Sequence, residues 1–348
     1  MKKQILAPTI LALFVASAAH AGATFDTASG TLNLGADVEF DYTSETDADL
    51  YSGGRILIDL NGMKALDNGY FVGFKLNPTW GQNGNAGADD IWIKFGEQSN
   101  WALQAGHFEA TNLSPAGQDI YVNTGGTTMY RANFGRGRTG ETDYSLDDST
   151  DSVPGDGQLT FTKTMGDSAT FELTAQSRDS GNVVVLRPVI TATPGDLVFL
   201  GVGAEFSAVG DESTDFARTV SGTQTDATDW FGLGGYIGFN ISDDLSLTAR
   251  AAYLSDNRVE TNAFDAYTAG LNLQFKEFFI GALYGEGDAD LAAEDTEELE
   301  VYASYRIADI MNFDNFDIYL GAGWSEAKVG GTTNDDTVGA RVRLKYTF

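Results

Sequence analysis

The side chains able to act on another molecule fall into two sets. Basic residues stand at alternate positions near the end of the chain (Arg341, Arg343, Lys345) and singly in earlier segments (Arg55, Lys75, Lys94). Acidic residues are far more numerous: 50 Asp plus Glu oppose 21 Lys plus Arg, for a formal net charge of -29. Placed on a wall, such groups can hold a field, trade hydrogen bonds with a polar solute and set ion preference. Covalent chemistry is poorly supplied. The chain has no cysteine, so disulfides and thiolates are excluded. Its two histidines, His20 and His107, leave almost no room for a Ser–His arrangement or a His-rich metal site. Paired Asp residues remain open to an enzyme, but nothing in their spacing supports one. The acid excess disfavours nucleic-acid phosphates. Oxygen-rich acidic loops could hold calcium, although no run follows the EF-hand spacing.

What must position these residues is a set of strands. A hydrophobic fraction of 42% and an aromatic fraction of 12% exclude a disordered acidic chain. Residues 1–21 read as a signal peptide: Lys2 and Lys3, an apolar run from Ile5 to Val15, then Ala19-His20-Ala21 before Gly22. Cleavage there would leave His107 as the one histidine. No later run approaches the roughly twenty apolar residues of a spanning helix. Instead, a period of two recurs along 22–348. In 31–42, Leu32, Leu34, Ala36, Val38, Phe40 and Tyr42 alternate with Asn33, Gly35, Asp37, Glu39 and Asp41. In 338–348, Val338, Ala340, Val342, Leu344, Tyr346 and Phe348 alternate with Gly339, Arg341, Arg343, Lys345 and Thr347.

Sixteen such strands are expected, beginning near Thr31, Arg55, Tyr70, Asp90, Trp101, Gly157, Ala169, Asn182, Leu197, Asp229, Leu245, Ala266, Glu277, Leu299, Phe316 and Thr337. The stretch 130–138 could be a further strand. Short and long acidic connections alternate, as in an up-and-down barrel with turns on one rim and loops on the other. Periodicity alone also allows an exported soluble or adhesive β-protein with the apolar face inside. Strands of about nine to eleven residues, aromatic strand ends such as Tyr42, Trp80 and Phe348, and a charged opposite face favour the membrane. The expected fold is therefore all-β: a transmembrane antiparallel up-and-down barrel. An inserted sheet must close on itself because hydrocarbon leaves an unpaired backbone group no partner.

With its leader, its sixteen alternating segments and a last strand ending in Phe348, the mature chain resembles a Gram-negative outer-membrane porin over its whole length. The resemblance implies an outer-membrane homotrimer, set among lipid and lipopolysaccharide, that admits small hydrophilic solutes and carries no cofactor. It also implies that the long connection between strands five and six, about 109–156, folds inward and narrows the bore. Here that loop would bring Glu109, Asp119 and Tyr121. The loop departs from the usual Pro-Glu-Phe-Gly-Gly-Asp run of such proteins, and His107 stands where they often carry Arg.

Strand parity then turns Arg55, Asp59, Lys75, Trp92, Lys94, Arg341, Arg343 and Lys345 inward. Strands one and sixteen meet when the barrel closes, so the cations gather into one basic arc. Facing acids on the loop, they would set a transverse field across the waist. The expected function is passive diffusion with mild cation preference. The alternative is a sugar-preferring channel, with Tyr121, Phe71 and Trp92 offering flat faces to pyranose rings. His107 is expected to be a structural or girdle residue.

Overall fold

The computed structural model describes residues 22–27, 30–46, 49–115, 117–118, 157–178, 183–209, 229–257, 263–333 and 336–348. The leader, Asp119, Tyr121 and the stretch 130–138 lie outside the described residues. The strands, in chain order, are β1 (Ala23–Thr27), β2 (Gly30–Glu45), β3 (Tyr51–Ala65), β4 (Tyr70–Gly81), β5 (Ala86–Glu97), β6 (Trp101–His107), β7 (Gln158–Met165), β8 (Ala169–Arg178) and β9 (Val183–Ala192). They continue as β10 (Val198–Val209), β11 (Trp230–Ser242), β12 (Leu245–Asp256), β13 (Phe264–Phe275), β14 (Phe278–Ala289), β15 (Thr296–Ile307), β16 (Phe316–Val329), β17 (Thr332–Thr333) and β18 (Thr337–Thr347). No α-helix occurs among the described residues; two single turns of 3-10 helix, Ala292–Glu294 and Ile310–Asn312, interrupt the connections.

From β2 to β16 each strand is antiparallel to the next, β16 pairs β18, and β18 pairs β2. The result is a closed barrel of sixteen staves. Its alternation is the reverse of a soluble protein's. Ile93 (54%) and Leu271 (51%) stand exposed on the outer face, while Arg187, Glu300 and Thr174 are fully buried within. Continuous exposed apolar surface marks a lipid or partner interface, and charges are almost never buried unless paired. A sandwich with a greasy interior, the soluble alternative, would show the opposite.

Each expected strand coincides with one stave. The largest displacements are at β3 and β5, which begin four residues before Arg55 and Asp90. Tyr51 to Gly54 carry no apolar alternation, yet they pair with Phe40 to Thr43 on β2. In β5 the cause is a bulge. Leu76 pairs Ile91 and Pro78 pairs Ala88, so Asp89 and Asp90 together oppose Asn77. Proline, lacking an N–H, is at home at such a break.

The seam is composite. β18 covers the edge of β2 only from Glu45 to Asp37, and Phe348 closes it by hydrogen bonds in both directions with Ala36 (2.6 and 3.0 Å). The rest of that edge, Leu34 to Gly30, is paired by β1, a strand the alternation did not reveal. β1 and β18 therefore lie in line along β2, and together they cover its edge.

Candidate functional site

The chain leaves β6 at His107 and turns inside the barrel. Gln158 Nε2 donates to the Phe108 carbonyl (2.8 Å). Thr111 donates its N–H and its hydroxyl to the Glu172 carboxylate on β8 (3.0 and 2.8 Å). Leu113, 1% exposed, packs with Val185, Val189, Leu254, Phe264 and Ala266 on the inner wall. Arg250 donates to the Ser114 carbonyl (3.2 Å) and to the Tyr302 hydroxyl (2.6 Å), and Asn272 donates to the Pro115 carbonyl (2.9 Å). Gly117 has φ +70, and a Cβ there would come within 2.3 Å of the Phe279 ring, which stacks on Tyr302 at 6.0 Å. Gln118 donates to the Glu277 carbonyl (3.0 Å) and accepts from Ser304 Oγ (3.3 Å). Residues 108–115 and 117–118 thus lie along the inner wall from β7 round to β15, facing the arc from β16 and β18 to β5.

That arc carries the five expected cations on the inner face: Arg55, Lys75, Lys94, Arg341 and Arg343. Among the described residues, the acids that meet them stand on the wall itself; of the expected loop acids, Asp119 lies outside the described residues. Arg343 pairs with Asp41 (2.7 Å) and Lys345 with Asp37 and Glu39 (2.7 and 2.6 Å). Arg55 lies 3.4 Å from Glu39 and 3.8 Å from Asp89. Lys75 binds Asp90 at 2.9 Å and lies 4.0 Å from Asp59. Arg341 donates to Thr43 Oγ1 (2.9 Å). Register explains the pairs: Arg343 lies directly across from Asp41, Lys345 and Arg55 both from Glu39, and Arg341 from Thr43. The bulge in β5 brings two consecutive carboxylates to two different cations. The basic wall is thus corrected to a ladder of alternating charge, with Asp37, Glu39, Asp41, Asp59, Asp89 and Asp90 interleaved among its cations.

Lys94 is 8% exposed. With Phe71, Phe108, Glu109, Thr111, Thr160 and Glu172 it lines a cavity of about 620 Å³ that opens on the rim of short turns. Glu109 therefore sits beside the wall of Lys94 rather than across the bore from it. Phe71 is buried against the cavity, and Trp92 is half-buried on the inner face of β5 between Asp90 and Lys94. His107 has the outward parity of Leu103. Deeper on the wall under the loop, Arg187 joins Glu172 (3.8 Å) and Glu205 (3.3 Å).

The anchors Glu172, Arg250, Asn272 and Tyr302 were not singled out in the sequence. Their only signal there is polar or bulky residues at inward parity on otherwise plain strands. Among the described residues no group of three or more His, Asp or Glu side chains is arranged to hold a metal ion. The geometry offers a wet, charged, partly obstructed bore, suited to passing and contacting solutes.

Comparisons agree. The barrel superposes on OmpT, an outer membrane protein of Vibrio cholerae, with a TM-score of 0.65 at 15% identity, over 93% of this chain and 99% of that one. Its loop L8 deletion mutant gives the same score and identity over 92% and 100%. A multiply substituted Rh. blastica porin gives a TM-score of 0.54 at 13% identity, over 91% and 100%. No curated protein matches the chain. The family described as porin-like glycoporin RafY matches residues 26–348. With that match running from β1 through every stave to Phe348, the chain belongs to this porin family and is an outer-membrane channel protein.

Proposed function

We propose that the channel passes small hydrophilic solutes and ions by passive diffusion, with mild preference for cations, past a waist between residues 108–118 and the charged ladder. The observation that carries this reading is the ladder itself. Matched charges on adjacent strands present alternating donors and acceptors, so a polar solute can exchange hydration for wall hydrogen bonds while an apolar one cannot. Cation preference is supported elsewhere on the inner face. Beyond the ladder, Glu172, Glu205, Asp256, Glu298, Glu300 and Asp317 face inward against Arg187, Arg250 and Arg306. Planar-bilayer conductance in a salt gradient tests it. A reversal potential of the cation-selective sign is expected, and an anion-selective one would reject it.

A sugar-preferring reading is favoured by the cavity, where the rings of Phe71 and Phe108 sit among the hydroxyls of Thr111, Thr160 and Thr162, and by the glycoporin description of the family. Concentration-dependent block of single-channel current by oligosaccharides tests it; absence of block removes it. The same proposal includes export with cleavage before Gly22, assembly as a homotrimer in lipid and lipopolysaccharide, calcium bridging from loop-rim carboxylates such as Asp288 and Glu297, and no catalytic activity.

A further inference from the structure

Most short turns on one rim of the barrel are polar, such as Gln98-Ser99-Asn100, Gly166-Asp167-Ser168 and Asp243-Asp244, and two others carry a single exposed leucine each, Leu66 (43%) and Leu197 (54%). The turn between β15 and β16, residues 308–315, differs in length, in backbone and in what it displays. It presents Met311, 78% exposed, and Phe313, 60% exposed, both beyond the 54% of Ile93 on the outer face. Four of its non-glycine residues are held in the left-handed region: Asp309 (φ 50), Met311 (φ 58), Asn312 (φ 62) and Asn315 (φ 61). Such a backbone persists only where its surroundings over-determine it.

Here two carboxylates do so. Asp317, 5% exposed, accepts the Asp309 N–H (3.1 Å) and the Arg306 guanidinium (2.8 Å). Asp309 in turn accepts the Asn315 N–H (2.9 Å). The turn is fastened, besides, to the aromatic end of the outer face. Phe316 N–H donates to the Phe313 carbonyl and Thr347 N–H to the Asn315 carbonyl, both at 3.2 Å. Phe316 meets Tyr346 edge-on at 6.2 Å, and Tyr346 lies 5.5 Å from Phe348.

We propose that residues 308–315 form a lipid anchor, a rigid knob whose Met311 and Phe313 enter the headgroup layer of the leaflet on the turn-rim side. The occupant is lipid because the knob continues the outer face's aromatic band, and because aromatic and apolar side chains beside polar ones suit that layer. The inference rests on the outer face meeting lipid, and its test separates the two.

The chain has no cysteine, so single-cysteine variants of the full protein can each carry one fluorophore in phosphatidylcholine vesicles. Met311→Cys and, in parallel, Phe313→Cys (φ -91, unstrained) probe the knob. Asp167→Cys is the aqueous control and Ile93→Cys the lipid control. The knob labels are expected to be quenched several-fold more by lipids spin-labelled near the headgroup than the Asp167 label is, and to be shielded from aqueous iodide. Iodide quenching equal to that at Asp167 overturns the anchor. So does shielding from both quenchers, which would mean a protein contact. If the Ile93 label also escapes the lipid quencher, the membrane reading of the whole outer face falls with it.

Discussion

Leu113→Ala should loosen the inner loop while leaving the barrel intact. Leu113 is the buried apolar plug of the segment, 1% exposed, and its Cδ1 lies only 2.8 Å from where a Cβ on Gly203 would stand. Replacing a leucine in so tight a seat by alanine costs about 2.7–5 kcal/mol. Seven hydrogen bonds from described residues help to hold 108–115 and 117–118, at about 0.5–1.5 kcal/mol each. Fixing those residues costs about 1–2 kcal/mol apiece, so the polar contacts alone do not hold the segment in place. At about 1.4 kcal/mol per factor of ten, the unseated population should rise by about a hundredfold to several-thousandfold. Single-channel recording should show frequent excursions to a higher conductance level. The mobility of the unheated protein in dodecyl sulfate gels should stay that of the folded barrel, since no stave is altered. Quiet traces from a folded barrel would refute the idea that this contact seats the loop; loss of the folded band would show instead that Leu113 belongs to the barrel's own core.

Four further outcomes follow from the same geometry. Gly117→Ala should have a similar but smaller effect on the traces, because the residue needs φ +70 and its Cβ would meet the Phe279 ring at 2.3 Å; unchanged gating would show that residue 117 is free to move. Reversing Arg55, Lys75 and Arg341 together to Glu should raise cation preference in reversal-potential measurements, and no change would take the ladder out of the conducting path. Phe71→Ala should weaken oligosaccharide block if the cavity stacks sugar rings, with ion conductance kept; block of unaltered strength rejects that stacking. Deleting residues 22–29 removes the five β1–β2 pairs, so the heat needed to unfold the barrel in dodecyl sulfate should fall; an unchanged transition would show that β1 is not needed to cover the seam.

How much of this was legible in the sequence depends on the range of the interaction. The staves were legible because each is a local alternation, and Arg343–Asp41 and Lys345–Glu39 lie one register step beyond it: once β2 and β18, the first and last of the expected strands, are neighbours, the facing residues can be read off. The β5 bulge was not legible. Asp89 and Asp90 are adjacent in sequence, and strict parity sends one of them outward; only Pro78, on the partner strand, hints at the break. Nor was β1, because the five residues Ala23–Thr27 carry too short a pattern, and what fixes them is the edge that β18 leaves uncovered. Loop anchoring was hidden for a third reason. Glu172, Arg250 and Asn272 are single polar residues on different strands, and their shared purpose appears only once a loop starting at residue 108 is laid against all three.

The change from a basic wall to a ladder alters how selectivity should arise. Opposite charges on strands about 4.8 Å apart cancel over a distance of the same order, well inside the roughly 8 Å Debye length of physiological salt. The ladder therefore acts on what touches it and little on what passes at mid-bore. Ion preference must come from groups not matched pair by pair, and among the described residues the inward carboxylates outside the ladder outnumber the inward cations there. It follows that Arg343→Gln, which leaves Asp41 without its partner, should shift the reversal potential further toward cations. Neutralising both members, Arg343→Gln with Asp41→Asn, should nearly restore the native value. If the single and double variants shift it equally, Arg343 acts as an isolated pore charge, and the ladder account of this wall is wrong.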